Sequence, residues 1–82
     1  MKITLKLYTK LEKYLPENSS KNQAIVEIEE NCDVERVLDK HGVPSDQRYL
    51  VMVNGIHIMP EERATKVLSK SDSLAVWPPT TG

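Results

Sequence analysis

Ile3, Leu5 and Leu7 alternate with Lys2, Thr4, Lys6 and Tyr8, the period-two pattern of a half-buried strand. A polar stretch containing Pro16-Glu17-Asn18-Ser19-Ser20 breaks the chain after it. Ala24, Val26 and Ile28 then alternate with Glu27 and Glu29 and predict a second strand. Asp33 is a helix cap, with Val34, Val37 and Leu38 at helical spacing behind it. His41 and Gly42 end that helix, because glycine supplies a left-handed stop and Pro44 bars continuation. Leu50 to Val53 is a short apolar strand, Asn54-Gly55 is a strong two-residue hairpin signal, and Ile56 to Ile58 is the return. The segment from Pro60 to Ser69 reads as a loop with a helical turn near Lys66-Val67-Leu68. Leu74 and Val76 alternate with Ala75 and Trp77 in a last strand, which Pro78-Pro79 closes because proline cannot donate to a ladder.

This order predicts an α+β layer pair: a mixed sheet of four to five strands with one main helix packed on one face. The β-grasp, or ubiquitin-like, arrangement has this order, with the first and last strands side by side and parallel in mid-sheet. The expected organisation is a single domain over residues 1–77 and a flexible tail over 78–82. Strand parity adds a surface. If Leu5, Leu7, Val51, Val53, Leu74 and Val76 face the helix, then Tyr8, Leu50, Met52 and Trp77 point the other way. Aromatics gathered on an open sheet face are the usual anchors of an interface, so these four are candidate partner-binding residues.

Composition narrows the class. The chain has 82 residues, enough for one modest core. Hydrophobic residues make up 39% and charged residues 28%, which excludes a disordered or fibrous chain. No apolar run approaches the length of a membrane span, and the alternating N-terminus is no secretory signal. One cysteine excludes an internal disulfide framework and a cysteine-based zinc site. A cytoplasmic protein is expected. Net charge is −1, but residues 1–21 carry five lysines against two acids, and residues 22–39 carry six acids against one arginine. With no basic run, nucleic-acid binding is not expected. The acidic stretch reads as a solvated face.

Val53-Asn54-Gly55, then Ser71-Asp72-Ser73-Leu74-Ala75-Val76, then Trp77-Pro78-Pro79-Thr80-Thr81-Gly82 carry a family resemblance. They look like the molybdopterin-synthase small subunit and ThiS group of ubiquitin-like sulfur carriers. Those proteins have a Val-Asn-Gly turn, a Gly-Asp turn into the last strand, and a Pro-Pro-x-x-Gly-Gly ending. Here Ser71 stands where the group has glycine, and Gly82 matches the penultimate glycine of the ending. The resemblance implies that Gly82 carries the modification, as an acyl-adenylate and then a thiocarboxylate. It also implies two kinds of partner: a separate E1-like adenylating enzyme that uses ATP, and a sulfur-acceptor enzyme or synthase large subunit. The destinations in this group are molybdopterin or tungstopterin, the thiamine thiazole, or another sulfur acceptor; the Trp-Pro-Pro-Thr-Thr-Gly ending leans toward the pterin branch.

The tail's own chemistry is compatible with that role. A free α-carboxylate is an anion at neutral pH and a poor electrophile until activated. The three glycines are widely separated and form no phosphate cradle, so no cofactor is expected on this chain and the ATP belongs to the activating partner. Pro78 and Pro79 stiffen the exit from the sheet, and Thr80, Thr81 and Gly82 are small. Five extended residues reach about 16 Å, enough to enter a partner's tunnel while the body stays outside. Two other readings use the same residues: an interaction module that never activates its tail, and a small subunit whose tail sits in a catalytic subunit's pocket. The chain is read as a protein cosubstrate, with no catalytic residue and no metal ligands of its own.

The remaining reactive side chains carry bland readings. Cys32 lies among Glu30, Asn31 and Asp33 with no basic neighbour, so an ordinary thiol is expected. His41 and His57 are far apart with no third ligand. Asp72 reads as a turn-shaping side chain, and Glu61-Glu62-Arg63 as solvated loop.

Overall fold

The structure is a computed structural model that describes residues 1–79. Five strands and one helix follow in order: β1 (Lys2–Leu7), β2 (Gln23–Glu27), α1 (Val34–Lys40), β3 (Leu50–Val53), β4 (Ile56–His57) and β5 (Ser73–Trp77). They form one five-stranded sheet in the order β2-β1-β5-β3-β4. β1 and β5 are parallel neighbours, and every other pair is antiparallel. This is the β-grasp order expected from the succession of elements.

Register builds the core. Leu5 lies opposite both Ala24 and Leu74, and Val76 lies between Leu7 and Val51. These side chains are buried together with Val34, Val37 and Leu38 of α1, so the helix covers this face. α1 has only seven residues and depends on its ends. Asp33 accepts from the Arg36 N–H at 2.8 Å, which satisfies a free first-turn donor. At the other end Gly42 has φ +76° and donates to the Asp39 carbonyl, while Val43 donates to Leu38 at 3.1 Å. That pair of bonds is the Schellman stop, and Leu38 and Val43 supply its apolar contact, both buried.

One local expectation is corrected. The helical turn placed near Lys66-Val67-Leu68 lies instead at Pro60–Glu62. Pro60 opens that 3₁₀ turn, and the Glu62 carboxylate accepts from the Met59 N–H at 2.9 Å. Val67 is extended and bridges to Asp33, and Leu68 drops into the core. A second 3₁₀ turn, Thr9–Tyr14, occupies the segment after β1 and buries Leu11. One buried side chain in a turn leaves no periodic trace, so alternation did not announce it.

Asn54 and Gly55 both have positive φ, +53° and +81°, as the tight β3–β4 turn requires. Ser71, before β5, is also left-handed at φ +70°. A side chain there costs about 1–2 kcal/mol, against roughly 0.5–1 kcal/mol for glycine's extra unfolded-state freedom. Ser71→Gly is therefore expected to stabilise the protein by about 0.5–1 kcal/mol and raise the thermal midpoint by a few degrees. A melt that falls instead would show that the serine is held by something other than backbone geometry.

Candidate functional site

Tyr8, Leu50, Met52 and Trp77 all lie on the sheet face away from α1, and all four are half-buried. β5 supplies Trp77 opposite Leu50, and Ala75 opposite both Met52 and Lys6. Tyr8 follows β1, and its N–H still donates to the Val76 carbonyl at 3.2 Å, which extends the ladder by one residue. That bond holds the Tyr8 ring parallel to the Trp77 indole, with centroids 4.3 Å apart and planes within 2°. Two aromatics thereby shield each other, and the side chain of Ala75 beside them is 8% exposed. The result is an apolar platform made of large rings around a small floor.

The platform continues into a groove of about 460 Å³ at the end of β5, lined by Tyr49, Leu50, Trp77, Pro78 and Pro79 together with Thr9 and Lys10. Tyr49 is 67% exposed. Its N–H donates to the Trp77 carbonyl at 3.0 Å, fixing it beside the strand end. Tyr49, Thr9 and Lys10 were not among the residues singled out by sequence. Tyr49 immediately precedes β3, which begins at Leu50. Pro78 and Pro79 form part of the groove wall and are half-buried. Thr80, Thr81 and Gly82 lie outside the described residues.

Charge divides the molecule. Lys6 lies on the platform face and Lys10 lines the groove. Glu29, Glu30, Asp33, Glu35 and Asp39 lie on α1 and the loop before it. Lys6 and Lys10 thus put positive charge beside the aromatic platform, while α1 carries Arg36 and Lys40 among its acids and Glu27 lies opposite Lys2 on the platform face.

The other reactive groups lie elsewhere. The Cys32 thiol is pushed up from its usual range by burial first and by the Asp33 carboxylate second. Its Sγ is 3.7 Å from the Asp33 carbonyl. Only the thiolate is a good nucleophile, so Cys32 is expected to alkylate more slowly than free cysteine at neutral pH; labelling as fast as a small thiol would contradict this placement. His41 Nδ1 donates to the Val37 carbonyl at 3.0 Å, a helix-end role. His57 is exposed on β4 opposite Met52. Among the described residues no three His, Cys, Asp or Glu side chains gather in a way that could hold a metal ion. No helix among them is long and apolar enough to cross a membrane.

Asp72 shapes its turn as expected, and it does more. Its Oδ2 accepts from the Ser69 N–H at 2.8 Å, and its Oδ1 accepts from Asn54 Nδ2 at 2.9 Å. Arg63 was read as solvated loop; it is half-buried and donates from Nη1 to the Arg48 carbonyl at 2.8 Å. Burial, and then the neighbouring Arg48 charge, lowers its pKa from the ordinary value. Arg48 itself is a buried side chain that sequence reasoning missed.

A five-stranded β-grasp sheet with one helix across a face is the fold of ubiquitin-like proteins. More narrowly, the chain belongs to the Mut7-C ubiquitin family, whose model matches residues 1–81. Among solved structures it is similar to SAMP1 from Haloferax volcanii, with a TM-score of 0.68 over 100% of this chain and 99% of that one. Identity between the two is 16%, so the likeness is one of fold. No curated protein matches the sequence.

Proposed function

We propose that this protein is a ubiquitin-like sulfur carrier whose reagent is the Gly82 carboxylate. A partner related to ubiquitin-activating enzymes uses ATP: a Gly82 carboxylate oxygen attacks the α-phosphorus, pyrophosphate leaves, and an acyl-adenylate forms. A hydrosulfide donor then attacks the carbonyl, AMP leaves, and a thiocarboxylate remains for transfer to an acceptor enzyme or a synthase large subunit. Activation is required because the free carboxylate is a poor electrophile. The chain is a protein cosubstrate in this scheme, and the ATP is bound by the partner. Molybdopterin or tungstopterin synthesis, with the thiamine thiazole as the other branch, is the proposed destination.

The observation that carries this reading is the position of the platform. Tyr8, Leu50, Met52 and Trp77 end where Pro78 and Pro79 begin, so a partner holding the sheet face also holds the root of the tail. Lys6 and Lys10 favour a partner surface that is apolar in the middle and acidic at its rim. Membership in a ubiquitin family supports the same reading.

The platform alone also favours a second reading, an interaction module that docks through the sheet face and never activates its tail. Intact mass separates them. After incubation with a cognate adenylating enzyme, ATP and a sulfide source, the carrier reading expects one oxygen replaced by sulfur. Deleting Gly82 abolishes that change. A mass that never moves, with a binding partner retained, supports the module.

A further inference from the structure

Asn54 is joined to the start of β5 by three hydrogen bonds. Its Nδ2 donates to Asp72 Oδ1 at 2.9 Å, its Oδ1 accepts from the Ser73 N–H at 2.9 Å, and its own N–H donates to the Ser73 carbonyl at 2.8 Å. The β3–β4 turn and the turn into β5 are thereby clasped, although Asn54 and Asp72 lie 18 positions apart in the chain. The residue after Asn54 is Gly55, with φ +81° and open space where a Cβ would stand. An exposed asparagine followed by an unhindered glycine is the sequence most prone to spontaneous deamidation, because nothing shields the glycine nitrogen.

We propose that Asn54 is a modification site of this protein: a deamidation site held closed by its clasp to Asp72 and Ser73, whose product releases that clasp. The chemistry needs only water. The Gly55 amide nitrogen loses its proton to base and attacks Asn54 Cγ. The N–Cγ bond forms, the Cγ–Nδ2 bond breaks, and ammonia departs with a proton. Water then opens the cyclic imide to aspartate or isoaspartate. In the folded protein this path is obstructed, since the amide must first leave both of its partners. Those two side-chain hydrogen bonds, at ordinary net strength, favour the closed arrangement by roughly tenfold to a hundredfold.

The product is incompatible with the clasp. An aspartate at 54 has no N–H to give Asp72, and it places one carboxylate against another where Nδ2 and Oδ1 now lie 2.9 Å apart. Ser73 opens β5, and Trp77 closes it, so the lesion loosens one end of the strand that carries the platform and the tail at its other end. Deamidation would therefore act as a slow, irreversible mark on protein that has spent time unfolded.

The test has a kinetic arm and an equilibrium arm. Wild-type protein, folded and in denaturant, is held in mildly alkaline buffer, and conversion at Asn54 is followed by peptide mass mapping. Folded protein is expected to convert at least about tenfold more slowly, and Asp72→Ala to recover several-fold of that difference while still folded. Equal rates in folded and denatured protein would overturn the proposal. In the equilibrium arm, Asn54→Asp is expected to lower the thermal midpoint. The double variant Asn54→Asp with Asp72→Asn exchanges donor and acceptor and is expected to recover most of the loss. An Asn54→Asp protein that melts with the wild type, or a double variant that melts no higher than the single one, would overturn it. The double variant keeps the test decisive even if Asp72→Ala fails to fold.

Discussion

Trp77→Ala is expected to weaken docking to the activating partner by roughly tenfold to a hundredfold while leaving the protein folded. Trp77 is half-buried, stacked on Tyr8 at 4.3 Å and set opposite Leu50, so its removal opens the centre of the platform rather than its rim. Central aromatic anchors carry most of an interface's energy, whereas rim charges such as Lys6 act mainly on the association rate. Stability changes less. The stacked pair contributes about 0.5–1.5 kcal/mol beyond its buried area, and the backbone of β5 stays paired on both sides. Trp77→Phe keeps a ring over Tyr8 and should retain much of the affinity. Titration of the partner against each variant, beside a thermal melt, separates the two effects. Unchanged affinity in a folded Trp77→Ala protein would remove the platform from the docking surface.

Arg48→Ala is expected to cost about 2–4 kcal/mol of stability, the largest effect anticipated for a polar side chain here. Arg48 is 8% exposed. Its Nε and Nη2 both donate to the Val43 carbonyl, and Nη2 also reaches Asp39 Oδ1 at 2.7 Å. Val43 follows the helix stop at Gly42, so the guanidinium ties the end of α1 to the loop before β3. Truncation would strand a buried carbonyl and empty the space of the alkyl stem. The ion pair is the lesser part: the Asp39 side chain is 64% exposed and regains water when unpaired. Asp39→Ala should therefore cost under about 1 kcal/mol. Denaturant unfolding of both variants checks the ranking, and equal losses would show that the ion pair, not the carbonyl, is what Arg48 supplies.

The strand positions were legible because β1 alternates apolar and polar residues, β3 is a short apolar run ended by Asn54-Gly55, and β5 sets Leu74 and Val76 two apart before Pro78; Leu5, Leu7, Val51, Val53, Leu74 and Val76 are all buried. The helix was legible for a different reason: Asp33 and Gly42 are chemically suited to opposite ends of a helix, and both act there. What stayed hidden depends on long-range contact. Arg48 gives no sequence sign of burial, because its partners Val43 and Asp39 are recruited by the fold. Tyr49 gave no signal, since it stands one residue outside β3. Leu11 and the Pro60–Glu62 turn occupy 3₁₀ elements too short to set up a period. At the candidate site, the orientation of Tyr8, Leu50, Met52 and Trp77 could be worked out from strand parity. The Tyr8–Trp77 stacking and the groove beside them could not, because the ring orientations and the gathering of Thr9, Lys10 and Tyr49 at the end of β5 are set by the folded chain rather than by alternation.

Adenylation is the step shared by every destination of a sulfur carrier, and it needs no sulfur donor. The most direct test of the account is therefore ATP–pyrophosphate exchange by an E1-like enzyme from the same source, with this protein as the acyl substrate. The account predicts exchange that depends on added protein, saturates with it and vanishes when Gly82 is deleted. Exchange that is absent with folded wild-type protein, or that persists without Gly82, would contradict it.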